Sequence, residues 1–223
     1  MKILFLALIF PVLSHAGIIG TIGGSIIGGY QSDAKNAAGK NLLDATGTLG
    51  LTAEVEFPIL GNFLTAHVGL LYSRMGAKTQ YFDPKTAVTA VDQESQISNT
   101  DGFLGARVRF INFKHLKIFL GGGGVFGNAK LEHDAGHYRE QNGGNLPTGF
   151  KEIEEVSKWG HYLETGVDFV FTKTSTLRFS GRLITTETER FETLNNKSVE
   201  GTYFATSIMY SHYFDKFISI DKK

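Results

Sequence analysis

The sequence predicts an all-β chain: an eight-stranded antiparallel up-and-down β-barrel that crosses a membrane. Three observations predict it. Eight segments alternate apolar and polar residues with period two. The connections between them alternate strictly, short then long. Within the segments, charge gathers on the polar parity while aromatic rings gather at the segment ends.

The chain opens on Lys2, an apolar run from Ile3 to Leu13, then Ser14, His15 and Ala16. That order is a secretion signal, and the run of about 11 residues is too short for the roughly 20 of a spanning helix. Residues 1–16 are expected to be removed, leaving 17–223 as one barrel domain with a short tail after about residue 214. The composition holds 22 basic and 22 acidic residues, so it carries no electrostatic footprint for nucleic acid. No cysteine is present, which excludes disulfide staples and thiol nucleophiles.

The first strand is expected over about Ile19 to Gln31, with Ile22, Ile26 and Tyr30 on one parity. The second, Gly47 to Phe57, sets Leu49, Leu51, Ala53, Val55 and Phe57 against Thr48, Thr52, Glu54 and Glu56. A short turn through Pro58 and Gly61 leads to the third, Phe63 to about Lys78. The fourth, about Ile97 to Phe110, alternates Leu104, Ala106, Val108 and Phe110 with Arg107 and Arg109. The fifth, about Lys117 to Leu131, contains Gly121 to Gly124, which read as strand curvature rather than a phosphate loop because no Lys-Ser/Thr follows. The sixth spans about Val156 to Phe171, the seventh Thr176 to about Arg190, and the eighth about Val199 to Phe214.

Long connections are expected near 32–46, 79–96, 132–155 and 191–198. Short turns on one side and long loops on the other are the layout of outer-membrane barrels, with the turns and both termini periplasmic. A soluble barrel also alternates with period two. Against it, the lysines Lys35, Lys40, Lys78, Lys85, Lys114, Lys151, Lys173 and Lys197 sit in loops or at strand ends, whereas the strand-centre cations are arginines on the polar parity. Rings flank the strands as two girdles, represented by Phe57, Phe110, Phe171 and Phe214 at the short turns and Tyr30, Tyr72, Trp159 and Tyr203 at the long loops. Phe217 extends the first girdle and Phe191 the second.

On this layout, and on the stretch GLTAEVEFPILGNFLTAHVGLLYSRMGAK, the chain resembles the small outer-membrane barrels such as the OmpA transmembrane domain, OmpX and OmpW. The resemblance implies the fold and an outer membrane of a Gram-negative-type bacterium. One departure is that such barrels commonly end on an aromatic, whereas Phe214 and Phe217 here are followed by Ile218 to Lys223.

An eight-stranded barrel is narrow enough for side chains to fill it. Glu54, Glu56, Glu164 and Asp168 then face Arg107, Arg109, Arg178 and Arg182, and are expected to form an internal ion-pair network that plugs the lumen. The same residues read as a filter would line a narrow channel or carrier for small solutes. Glu54 and Glu56 do not suit a glycosidase, since adjacent arginines would keep both ionised. Glu132, His133, Asp134 and His137 are the residues that offer metal ligands, although mixed polar loops arise by chance and no metal or cofactor is expected. The acidic run Glu152, Glu154 and Glu155 reads as a solvated loop face. Glu155, Ser157 and His161 beside Trp159 are the one candidate set for a lipid-modifying enzyme, but same-face neighbours on a strand stand about 6.5 to 7 Å apart, so no catalytic residue is assigned. The upper lumen carries small residues such as Ser73 and Ser207. The expected role is structural or surface-interacting: a monomer in contact with outer-membrane lipid and lipopolysaccharide, its four loops open to an extracellular ligand or protein.

Overall fold

The computed structural model describes residues 17–214, apart from 37, 62, 84–87, 142 and 147–148. Residues 1–16, expected to be a leader, Lys85, and the stretch with Phe217 and Ile218 to Lys223 lie outside the described residues.

The strands are β1 (Ile18–Ile27), β2 (Tyr30–Gln31), β3 (Leu43–Ala45), β4 (Thr48–Leu60), β5 (Leu64–Asp83), β6 (Val88–Asn112), β7 (Leu116–His133), β8 (Ile153–Val170), β9 (Ser175–Thr188) and β10 (Glu200–Phe214). A short helix α1 (Ala135–Gln141) and a 3-10 turn at Glu192–Leu194 lie in the last two long loops. Every long strand pairs antiparallel with its chain neighbours, and β1 pairs with both β4 and β10, so the sheet closes. Closure removes the free edges that a membrane cannot satisfy.

Two boundaries differ from those read off the sequence. The first strand ends at Ile27, because Gly28 and Gly29 interrupt it where a Cβ on Gly29 would lie 2.4 Å from the Ala45 carbonyl oxygen. The parity resets there, and Tyr30 turns inward. The second difference is larger: the loop expected over 79–96 is mostly wall, with β5 running to Asp83 and β6 starting at Val88. Lys78 therefore lies within a strand, as do Lys130 and Lys158. The polar composition that suggested a loop belongs to a part of the barrel whose outer face meets water.

The outer surface shows where water begins. Exposed apolar side chains cover the wall up to Tyr72, Leu104, Phe126, Trp159, Leu183 and Phe204. The next outward positions are Arg74, Thr100, Asn128, Ser157, Thr185 and Thr202. Such a belt of exposed apolar residues is the lipid-facing surface of a transmembrane barrel. From Tyr72 to the end of β5 the wall continues for roughly 35 Å of strand at about 3.3 Å per residue, clear of the bilayer.

The interior has two storeys. Within the bilayer most inward residues are charged or hydroxylated, with Phe103, Phe119 and Met209 buried among them. Above it, Leu43, Met75, Ile97, Leu131, Phe191 and Leu194 pack as a buried apolar core, with Leu42 contributed by the first loop. Ser73 and Ser207 are buried as well, so the upper lumen they line is filled. The glycine run of β7 has a packing reason. A Cβ on Gly121 would meet the Arg107 side chain at 2.9 Å, and one on Gly105, opposite Gly123, would meet the Tyr162 hydroxyl at 2.2 Å. Bare backbone leaves room for two large side chains.

Candidate functional site

The candidate site is the charged belt across the lumen. Four strands supply it: β4 gives Glu54 and Glu56, β6 gives Arg107 and Arg109, β8 gives Glu164 and Asp168, and β9 gives Arg178 and Arg182. Register alone makes part of it, because Glu164 pairs directly with Arg182 and Asp168 with Arg178 across β8 and β9. The β4 carboxylates and the β6 guanidiniums are separated by β5, whose inward residues there are Thr65, His67 and Gly69. A Cβ on Gly69 would stand 2.7 Å from the Glu54 side chain.

Arg107 is the hub. Its Nε and Nη2 donate to the two oxygens of Glu164 at 2.9 and 3.0 Å, its Nη2 also donates to Glu54 at 2.5 Å, and its Nη1 donates to Glu56. Arg178 forks onto Asp168 at 2.7 and 3.1 Å and also reaches Glu56. Arg109 bonds Glu56 at 2.7 Å, Thr65 at 3.2 Å and Asp168 at 3.3 Å. Arg182 bonds Glu164 at 3.0 Å and also Glu54. The guanidiniums lie over rings as well: Arg107 and Arg178 over Phe119 at 5.3 and 5.0 Å, Arg182 over Phe103 at 4.5 Å. All eight predicted lumen residues thus meet in one cluster, four charges of each sign. Beside it, Tyr162 hydrogen-bonds His67 Nε2.

A second charged group sits nearer the outside, and sequence reasoning missed it. Lys158 Nζ contacts Asp101 at 2.7 Å and donates to Asn99 at 3.0 Å, while the Tyr203 hydroxyl donates to the other Asp101 oxygen at 2.5 Å. All four residues are buried. The signal was present in the alternation: Asp101 shares the parity of Arg107, and Lys158 that of Glu164.

Of the girdle residues, Phe110, Phe171 and Phe214 face outward at the turn side, with Phe57 half-buried, and Tyr72 and Trp159 face outward near the loop side. Tyr30 and Tyr203 do not belong to the girdle. They are 9% and 3% exposed and pack against each other inside, ring centroids 5.6 Å apart and tilted by 30°. Tyr30 is inverted by the glycine break, and Tyr203 lies on the inward parity, where its hydroxyl serves Asp101. Phe191 is likewise buried, under the fourth loop.

The four loop residues with metal-ligand chemistry are not brought together. Glu132 faces outward to Arg74 and Lys130. Asp134 accepts from the Gly136 and His137 N–H groups at the start of α1. No metal-binding group of three or more such side chains occurs among the described residues. Ser157 and His161 are exposed on the outer face of β8, roughly 13 Å apart along the strand, and Glu155 accepts from Asn128.

His133 instead turns inward above the membrane and ties the loops together. The Thr193 hydroxyl donates to Glu154 at 2.7 Å, so its oxygen accepts from His133 Nε2 at 3.1 Å, and His133 Nδ1 accepts from Ser95 at 2.9 Å. Thr79 closes the group on Ser95 at 2.8 Å, and the Tyr81 ring meets the imidazole edge-on at 4.9 Å. Glu154, one hydroxyl away, is the charged group facing it. Burial lowers the His133 pKa from 6.5 to about 4, so the folded barrel holds it neutral. The unfolded chain takes up that proton first, so His133 contributes full stability above about pH 6.5, lost as pH falls towards 4. Unfolding midpoints across that window are expected to fall less steeply in His133→Gln than in the wild type; equal slopes would show that His133 does not set the acid limb.

No protein-family model matches the chain, and no curated protein matches its sequence. Solved structures are. Neisserial surface protein A superposes with a TM-score of 0.54 at 14% identity, over 88% of this chain and 97% of that one. The outer membrane protein AlkL, solved in lipid bilayers, gives 0.55 at 13% identity, over 93% and 94%. Ail of Yersinia pestis, in complex with the heparin analogue sucrose octasulfate, gives 0.50 at 12% identity, over 90% and 99%. Likeness at such identities is likeness of fold. Joined to the lipid-facing belt and the closed ring of long strands, it identifies the chain as a small eight-stranded outer-membrane β-barrel.

Proposed function

We propose that this barrel works as a sealed, monomeric scaffold that acts through its extracellular face, with the lumen serving as structure rather than as a passage. One observation carries the reading. The four arginines of the belt span the lumen and none is more than 4% exposed, so almost none of their surface is open to water. A channel at this level would leave its charged lining wet. Above it the apolar core, with Phe191 and Leu194 fully buried, is a second seal.

Recognition then falls to the loops and the wall that stands clear of the bilayer. A recess of about 510 Å³ lies there, bounded by Glu94, Gln96, Glu132, Asp134 and Glu152 among others. The sulfated sugar held by Ail does not carry over easily. Several cations of this face are already engaged, Arg74 and Lys130 with Glu132 and Lys151 with Glu192, and the recess itself is acidic. A protein or lipid partner with exposed amines suits such a surface better.

Planar-bilayer recording on the refolded protein tests the seal. No unitary conductance is expected from the wild type at neutral pH. Stable, voltage-independent openings would overturn the reading and make the belt a selectivity filter.

A further inference from the structure

Among the described residues, the periplasmic rim is lopsided in charge. The β6–β7 turn and the β8–β9 turn lie side by side there, joined by the Val170 N–H donating to the His115 carbonyl at 3.0 Å. Each presents an exposed phenylalanine beside an exposed lysine: Phe113, 67% exposed, next to Lys114, and Phe171, 65% exposed, two residues before Lys173. Both turns are braced. Thr172 Oγ1 accepts from the Thr174 and Ser175 N–H groups at 3.2 and 3.0 Å, and the Phe113 N–H donates to the Leu116 carbonyl at 2.8 Å. Neither turn contains an acidic residue. Among the described residues of β8, the carboxylate next before these turns is Asp168, which is turned into the lumen and held by Arg178 and Arg109. The β4–β5 turn across the rim is different: Ile59, Leu60 and Phe63 are exposed, and no charged residue lies between Pro58 and Phe63.

We propose that the sector formed by these two turns is a docking surface for anionic phospholipid of the inner leaflet. The occupant follows from continuity and charge. The sector continues the lipid-facing belt, so what lies against it is lipid. Its phenylalanine rings suit the boundary between acyl chains and headgroups, where aromatic side chains concentrate. Its ammonium groups then stand at the depth of the phosphates, where lysine attracts a net negative headgroup more than a zwitterionic one. The uncharged β4–β5 sector gives lipid the same apolar contact without that preference.

Fluorescence quenching separates the two sectors in one molecule. In a Trp159→Phe background, Phe113→Trp reports on the basic sector and Phe63→Trp on the uncharged one, each in the full chain refolded into phosphatidylcholine bilayers. Brominated phosphatidylglycerol is then exchanged against brominated phosphatidylcholine, and a heat-shift gel checks that each variant is folded. Phosphatidylglycerol is expected to be favoured about fivefold at position 113 and near parity at position 63. Adding Lys114→Gln and Lys173→Gln should bring position 113 to parity too. Parity at 113 in the unmodified turns would overturn the proposal and leave the lysines to an acidic partner in the aqueous periplasm. So would a preference that survives loss of both lysines, or one equally strong at 63.

Discussion

Arg107→Met is expected to lower the unfolding free energy of the refolded barrel by at least the roughly 3–5 kcal/mol typical of breaking one buried ion pair. Its guanidinium donates to Glu54, Glu56 and Glu164, and all four residues are buried. Methionine fills similar volume, so the loss reports on charge rather than on a cavity. With Arg107 gone, four carboxylates share three arginines, and Glu164 loses its fork. Urea titration in detergent micelles, followed by tryptophan fluorescence and by the heat-shift gel, reads the change. Adding Glu164→Gln should recover part of it, because one unpaired charge leaves with the carboxylate. A midpoint within about 0.5 kcal/mol of the wild type, as for an ordinary surface substitution, would mean that the belt is hydrated after all.

The second large effect is expected at Lys158. Its ammonium is the cation facing Asp101, between the belt and the apolar core, and Lys158→Met strands a buried carboxylate with the Tyr203 hydroxyl as its remaining donor. The expected cost is again about 3–5 kcal/mol. The informative comparison is the cycle with Asp101→Leu. If the pair is desolvated, the double variant should be far more stable than Lys158→Met alone, since both charges are then replaced by groups the neighbouring core accepts. A double variant whose loss equals the sum of the two single losses would show that the two side chains do not act as a pair.

Much of this was legible in the sequence because a membrane barrel writes its two solvents into alternate residues. Unbroken alternation from Leu49 to Phe57 is enough to say that Glu54 and Glu56 look inward, and the same reasoning places Arg107, Arg109, Glu164 and Asp168. What alternation cannot show is where the outer face changes solvent. Beyond Tyr72 the wall keeps its period, but its outward residues become polar, and residues 79–96 then look like a loop. Nor does period two survive a break. Gly28 and Gly29 invert Tyr30, and nothing local in the sequence says by how much the chain slips there. Lys158 is hidden for another reason: most lysines of the chain stand in loops or at strand ends, and that pattern masks a lysine whose parity, shared with Glu164, turns it inward.

The belt also constrains how the barrel comes to be. Glu54 and Arg182, which hydrogen-bond, are separated by 128 residues, and Arg107 joins strands contributed by the first and second halves of the chain. The Glu54–Arg182 contact cannot form in a partly rolled sheet, in which β4 has not yet met β9, whereas the pairs of Glu164 with Arg182 and of Asp168 with Arg178 lie on neighbouring strands and can form earlier. Until then the inner face of the sheet is open to water, so the dehydration of the belt and its last cross-lumen pairing fall together in the closing step. A strand entering one residue out of register would turn its carboxylates or guanidiniums towards lipid. The charges thereby act as a proofreader of assembly: a misregistered barrel meets its penalty at closure, while its seam is still open and the strand is still free to slide.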